Sequence, residues 1–367
     1  MMFYYQECIS DIGPFLSESI KFFDVEEMCN VQDSIVILDY YYINYPQSYI
    51  EKLNFIVKER NKKGFNTILI IDRTCEPSES DIKIIEILSS IYVNLGINKQ
   101  NIIFAINKNI HDLPENFNFF YFDGLLADAG KVLKENSLLF STTPIKDRPK
   151  KINVWLSKLK SRSSRVKTLY YFYKQGLLEK SLIGALGTVD DCMKIIEDKN
   201  FISSIEKYLK PFDGTPVVES ALEAGLSVSI SGSKNTIKSV YDNSSLGYIN
   251  ETSDYGFLYK NFITEKTYRT IMNRQPFVMQ SSPQALEYLR SMGFQTFNSI
   301  IDESYDQDPS ENIEHRVIVA KNFLDSIDQH IDEIQEIVEF NYKKLQELST
   351  NEIKKVNNIY DYFNRTC

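Results

Sequence analysis

Short runs of β-branched and aromatic residues alternate with amphipathic stretches of helical length, and the pattern occurs twice with a break between. Such alternation is the signature of βαβ units feeding a parallel sheet. In the first half, Ser34 to Asp39, Asn66 to Asp72, Asn101 to Ile106 and Phe117 to Phe122 read as strands. Ser48 to Lys63 and Ser78 to Leu95 read as helices, the second capped by Ser78 or Ser80. The charged, proline-containing segment from Pro144 to Lys151 reads as a linker. Beyond it the pattern restarts. Strands are expected at Ile152 to Leu156, Leu182 to Leu186, Gly247 to Glu251, Phe277 to Gln280 and Gln295 to Phe297. Helices are expected from Ser163 or Ser164 to Gly176, from Lys266 to Arg274 and from Pro283 to Ser291, with Gly176 placed as the residue just past a helix end. From Glu311 onward the pattern is helical, carried by Ile313, Val317, Phe323, Ile327, Ile331, Ile334, Ile337 and Val338.

A chain of 367 residues exceeds what one hydrophobic core ordinarily supports, so two cores are expected. The resulting reading is an α/β protein with a Rossmann-like domain over 1–145, a second over 150–325, and a helical segment over 326–367.

Several classes are excluded early. No apolar run approaches the roughly 20 residues a membrane-spanning helix needs, and Met1 to Asp11 lacks the basic-then-apolar order of a signal peptide. Five cysteines (Cys8, Cys29, Cys75, Cys192, Cys367) lie scattered with no CxxC pair, which fits neither a disulfide framework nor a zinc knuckle. A reducing, cytoplasmic location is the expectation. The net charge of −9 disfavours a protein that coats nucleic acid non-specifically. Between Lys146 and Lys180, however, eleven basic residues face two acidic ones. An anion against this stretch is therefore expected. No Gly-x-Gly-x-x-Gly follows any strand, which disfavours a dinucleotide oxidoreductase. The three histidines (His111, His315, His330) are too dispersed to suggest a histidine-based centre.

Three segments carry chemistry. Lys151 to Arg165 runs from a strand into a helix start, where exposed backbone N–H groups and the positive dipole end suit an anion, reinforced by Arg162 and Arg165. A basic, solvated helix entry explains the same residues more simply. Tyr248-Ile-Asn-Glu-Thr252 ends a strand in polar residues, and Phe262-Ile-Thr-Glu-Lys-Thr-Tyr-Arg269 then opens a helix at Thr264. Glu265 suits a ribose diol and Lys266 a phosphate leaving group, although capping alone accounts equally for Thr264-Glu265. Ser282 to Asp306 holds core residues Leu286, Leu289 and Phe294 and the carboxylates Asp302, Glu303 and Asp306, for which capping is the commoner role and metal binding the rarer.

Taken in order, these blocks resemble a family of glycosyltransferases found in tailed phages and marine microbes. The family shows an R-x-x-R or R-x-H-R element at a strand-to-helix turn, N-x-x-x-E-T, TEK-x-[YF]-[KR], [QH]-P-F, L-x-x-L-[RK]-x-x-G-F-x-T-F and I-D-E-S-Y-D. Here these are Arg162 with Arg165, Ile249-Asn250-Glu251-Thr252, which meets N-x-x-x-E-T at Glu251-Thr252, then Thr264 to Arg269, Gln275-Pro276-Phe277, Leu286 to Phe297 and Ile301 to Asp306, spanning about Lys151 to Arg316. A more distant likeness is to the α-1,3-fucosyltransferases, which carry a similar T-E-K helix start. The resemblance implies a GT-B fold, two Rossmann-like domains facing a cleft, with a nucleotide-diphosphate sugar held by the second domain. It implies donor contacts from Arg162, Arg165, Asn250, Glu251, Thr252, Thr264, Glu265, Lys266 and Arg269. Two departures, Ser163-Ser164 where the family usually has a His or Pro and Arg269-Thr270 where it often has Lys-Pro, leave open whether the donor is a UDP-, GDP- or other nucleotide sugar.

The expected reaction is sugar transfer to a hydroxyl, with Arg162, Arg165 and Lys266 stabilising the leaving diphosphate and, if the anomeric centre is inverted, a strand-end carboxylate, Asp39 or Asp72 with Asp123 behind them, acting as general base. Metal-independent turnover is expected, because no DxD element stands where an obligatory metal would need it. No separate cofactor and no membrane insertion are called for. The acceptor stays open between a hydroxymethylated DNA base, which fits a phage setting and a host cytoplasm, and a glycan or protein. The competing class is a non-catalytic sugar-nucleotide or nucleic-acid binding protein of the same fold.

Overall fold

The computed structural model describes residues 2–4, 20–22, 30, 35–40, 47–65, 67–73, 93–94, 96–97, 102–106, 118–121, 123–160, 162–210, 234–251, 263–308 and 312–357. The chain divides into two compact units, one of residues 1–127 with 350–367 and the other of residues 128–349.

Among its described residues, the first unit carries two parallel sheets. Strands β1 (Met2–Tyr4) and β2 (Ile20–Phe22) pair with each other. Strands β3 (Ile35–Tyr40), β4 (Thr67–Arg73), β5 (Ile102–Ile106) and β6 (Asn118–Tyr121) form a four-stranded sheet in sequential order. Helix α1 (Gln47–Lys62) connects β3 to β4, as a parallel pair requires. Near its C-terminus, Arg60 is fully buried and donates to Thr67 Oγ1 at 3.0 Å, tying the helix end to the next strand. The helix expected at Ser78 to Leu95 lies almost wholly outside the described residues. Helix α2 (Gly124–Asn136) begins after β6.

The second unit is built on a five-stranded parallel sheet: β7 (Ile152–Lys158), β8 (Ser181–Leu186), β9 (Leu209–Lys210), β10 (Leu246–Asn250) and β11 (Phe277–Gln280). Its order is β11-β10-β7-β8-β9. Every residue of β10 and β11 is buried, so both read as near-continuous apolar runs rather than alternating ones. Helix α3 (Ser163–Lys174) joins β7 to β8, α4 (Val189–Met193) and α5 (Lys199–Ile205) lie between β8 and β9, and α6 (Lys234–Asp242) precedes β10. Helix α7 (Glu265–Met272) joins β10 to β11; α8 (Ala285–Ser291), α9 (Ile313–Ser326) and α10 (Ile331–Asn357) follow. The α/β class, the parallel sheets and the C-terminal helices thus agree with the sequence pattern.

Two expectations change. The Pro144 to Lys151 segment belongs to the second unit: just ahead of it Ser141 and Thr143 donate to Asp242, and within it the Ile145 N–H donates to Gln335 Oε1 at 3.0 Å and Arg148 to the Asn273 carbonyl at 3.0 Å. The unit boundary consequently falls inside α2, and residues up to 349 of the C-terminal helices count with the second unit. Gln295 to Phe297 is not a strand. The Gln295 backbone N–H and carbonyl are both taken by the Asn341 side-chain amide, at 2.8 Å each, which replaces a neighbouring strand as the hydrogen-bonding partner.

Helix α3 ends as its glycine suggests. Gly176 adopts φ +65°, its N–H reaches the Tyr173 carbonyl at 3.0 Å, and the Leu177 N–H reaches Phe172 at 2.8 Å. This pair of bonds is a Schellman motif, which needs a left-handed residue. A Cβ at Gly176 would meet nothing within 4 Å, so Gly176→Ala isolates the backbone cost. Thermal unfolding of that variant should show a loss of about 1–2 kcal/mol.

Candidate functional site

The strand order locates a crevice. From the adjacent pair β7 and β10, the chain leaves β7 through α3 toward β8 on one side, and leaves β10 through α7 toward β11 on the other. Right-handed crossovers running in opposite directions put their helices on opposite faces of the sheet. The contacts agree. Phe172 of α3 meets Tyr248 edge-on at 5.2 Å, and Thr168 of α3 accepts from Asn250 Nδ2 at 3.3 Å. On the other face, Thr270 of α7 lies against Gly247 and Thr267 donates to Glu251 at 2.6 Å. Adjacent parallel strands whose helices diverge in this way form a topological switch point, where α/β sheets open a crevice at their carboxyl ends.

Both lips of this crevice are helix N-termini. Arg162 is the N-cap residue of α3 and makes no side-chain capping bond; Arg165 lies buried in the first turn. Across the crevice, Thr264 caps α7 by accepting from the Lys266 N–H at 3.3 Å. Helix N-termini attract anions through unpaired amides and the dipole, and these two carry Arg162 and Arg165 at one and Lys266 at the other.

At the α7 lip the side chains form one buried cluster. Glu251, 2% exposed, follows β10; its carboxylate accepts from the Thr264 N–H at 3.1 Å, from the Thr264 hydroxyl through a very short bond, and from Thr267 Oγ1 at 2.6 Å. Lys266 Nζ curls back over the helix start, donating to Glu265 Oε1 at 3.0 Å and Thr264 Oγ1 at 3.3 Å and lying 3.8 Å from Glu251. Arg269 places its guanidinium 5.2 Å from the centre of the Trp155 ring on β7, a cation–π contact. On the α3 face, Asn250 is 1% exposed, and its Oδ1 has no hydrogen-bond partner among the described residues. A buried, unmatched carbonyl at the mouth of the crevice is costly unless a ligand or water supplies a donor.

Of the residues that the sequence singles out, Asn250, Glu251, Thr264, Glu265, Lys266 and Arg269 therefore gather at the ends of β10 and α7, and Arg162 and Arg165 at the start of α3. Thr252 lies outside the described residues. Asp39 and Asp72 stand near the carboxyl ends of β3 and β4 in the first unit, and their side chains are not described. Asp123, buried, accepts from the Leu126 N–H at 2.9 Å and so caps α2. Thr267 and Trp155 carry no such signal in the sequence; only their partners' positions in space single them out.

The loop at Ile301 to Asp306 uses its carboxylates internally. Asp306 accepts from the Leu286 and Glu287 N–H groups at the start of α8, at 3.0 and 3.3 Å. Glu303 accepts from Phe297 N–H, Thr296 and Arg290 at 2.7–2.8 Å, and Asp302 from Ser304 N–H at 2.9 Å. Burial pushes the Glu303 and Asp306 carboxyls up, against the hydrogen bonds and the cations that pull them down. Gln275 is likewise a brace: its amide joins Asn153 on β7 to Ser244 ahead of β10.

The basic stretch is not one patch. Residues before β7 and those after α3 lie at the amino ends of the strands, whereas Arg162 and Arg165 lie beyond the carboxyl ends, about 20 Å away along a seven-residue strand. Part of its charge is also spent internally. Arg148 is buried against the carbonyls of Thr143 and Asn273, its pKa lowered by burial to about 10. Lys150 and Lys180 pair with Asp328 and Asp325.

No family model matches the sequence, and comparison with curated proteins finds no match. Among solved structures, the chain aligns over 95% of its length with 81% of a trehalose 6-phosphate synthase from Burkholderia multivorans, at 10% identity and TM-score 0.40. It aligns over 92% with 59% of a pneumococcal O-GlcNAc transferase solved with UDP and GlcNAc, at 9% identity and TM-score 0.44. It aligns over 95% with 98% of an α-glucosyltransferase solved with UDP, at 10% identity and TM-score 0.47. Among the described residues, no helix is long and apolar enough to cross a membrane.

Proposed function

We propose that this chain is a glycosyltransferase of the GT-B kind that takes a sugar from a nucleotide-diphosphate donor, with the diphosphate seated in the switch-point crevice of the second unit. One observation carries this reading: two helix N-termini, one bearing Arg162 and Arg165 and the other Lys266, stand at the carboxyl ends of two adjacent parallel strands. Negative charge accumulates on the leaving diphosphate as the glycosidic bond breaks, and fixed cations and amides at that point lower the barrier. With Lys266 and Arg165 in this role, no metal is required for leaving-group stabilisation, and turnover persists in excess EDTA. Glu265, beside Lys266, accepts from the ribose diol. The acceptor is a hydroxyl, carried by a hydroxymethylated DNA base or by a glycan or protein; if transfer inverts the anomeric centre, Asp39 or Asp72 takes its proton.

The test is to incubate the protein with a panel of UDP-, GDP-, ADP- and dTDP-sugars, with and without hydroxymethylated DNA, and to follow free nucleoside diphosphate. Release from at least one donor is expected. Thermal stabilisation by a sugar nucleotide with no release would instead establish a non-catalytic binding protein.

A further inference from the structure

We infer that Glu251 is a positioning residue, whose buried carboxylate sets the first turn of α7 and thereby holds the Lys266 ammonium at the crevice; this rests on the reading of the crevice as a donor site. Resemblance alone would make Glu251 a donor contact. The geometry argues otherwise, because its two oxygens are already engaged by Thr264 N–H, Thr264 Oγ1 and Thr267 Oγ1 and only 2% of the residue is exposed. With so little of the residue exposed, a ligand could reach it only by displacing these neighbours, and each buried group left unmatched costs free energy.

What Glu251 does is complete a cap from outside the helix. In a capping box, the residue at the third helical position reaches back to the N-cap N–H. Here that position is Thr267, too short to do so, and Glu251, 13 residues before the N-cap, accepts from the Thr264 N–H and from the Thr267 hydroxyl together. The pin fixes where the chain re-enters after leaving β10.

Charge gives the second half of the argument. Lys266 sits at the second helical position with its ammonium over the positive end of the dipole, a placement that is unfavourable by itself. Neighbours one apart on a helix do not face each other, so the contact of Lys266 with Glu265 does not arise from helix geometry alone. Glu251, 3.8 Å from Nζ, adds a second negative charge that keeps the ammonium there. Lys266 is thereby aimed before any donor arrives.

The experiment uses Glu251→Gln, which keeps the shape and part of the hydrogen bonding, in the wild-type and Lys266→Ala backgrounds. Two readouts are needed. First, labelling of lysines with an N-hydroxysuccinimide ester, followed by peptide mass spectrometry, needs no substrate. Lys266 should label about threefold or more faster in Glu251→Gln, because an ammonium that loses one charged neighbour is held less tightly, with the other lysines unchanged. Second, kcat for donor turnover should fall about tenfold or more in the wild-type background and by less than about twofold in Lys266→Ala, since a group acting through Lys266 has nothing left to act on. Unchanged labelling of Lys266, or an equal loss of kcat in both backgrounds, overturns the inference. Absence of turnover in the wild type with every donor defeats the glycosyltransferase reading instead, and the labelling result still decides the role of Glu251.

Discussion

Lys266→Ala should lower donor turnover by about 100-fold or more, the typical loss when one preorganised charge-stabilising donor is removed from a transition state. The expectation follows from where the side chain sits. Lys266 is 8% exposed, anchored by Glu265 and Thr264, and placed over the N-terminus of α7 at the switch point. A cation acting on charge that develops only as the bond breaks contributes to kcat more than to KM. Steady-state release of nucleoside diphosphate should therefore show kcat falling with KM changed by a few fold. The fold should survive, because the carboxylates left behind lie at a helix N-terminus, which tolerates negative charge. Turnover within about threefold of the wild type, with unchanged thermal stability, would remove Lys266 from the mechanism.

How far the sequence foreshadowed this site depends on the distance over which each contact acts. Thr264 announces its role locally, since a threonine before Glu-Lys reads as a cap, and it caps α7 as expected. Gly176 and the apolar runs of β7, β10 and β11 are legible for the same reason. The capping role of Glu251 is not, because its partners lie 13 and 16 residues on and nothing in the intervening pattern reports that they meet. The crevice itself rests on strand order, which periodicity does not encode: β7 and β10 are adjacent although about ninety residues separate them in the chain. Gln295 to Phe297 shows the reverse failure, local strand character overridden by one asparagine on α10. The basic stretch misleads because a count of charges along the chain ignores that a strand carries successive residues from one edge of the sheet to the other.

Phe297→Ala should produce the largest loss of stability, about 3–5 kcal/mol, the range for truncating a fully buried aromatic. Phe297 is 1% exposed and wedged between Phe277 of β11, edge-on at 5.4 Å, and Phe323 of α9, at 5.3 Å. It is the residue through which the irregular segment after α8 joins a strand to a helix. Its N–H is also held, by Glu303 at 2.7 Å, so the backbone is poorly placed to collapse into the cavity, and incomplete relaxation raises the cost. Because β11 pairs with β10 through Asn250 and Gln280, loosening it reaches the strand that carries the crevice. Chemical denaturation followed by the fluorescence of Trp155, the one tryptophan and a residue of this same sheet, reports the second unit directly. Its midpoint should fall well below that of the wild type, while kcat measured in the native baseline stays within a few fold. The opposite pattern, stability retained and turnover lost, would move the Leu286 to Phe297 block from the core to the site.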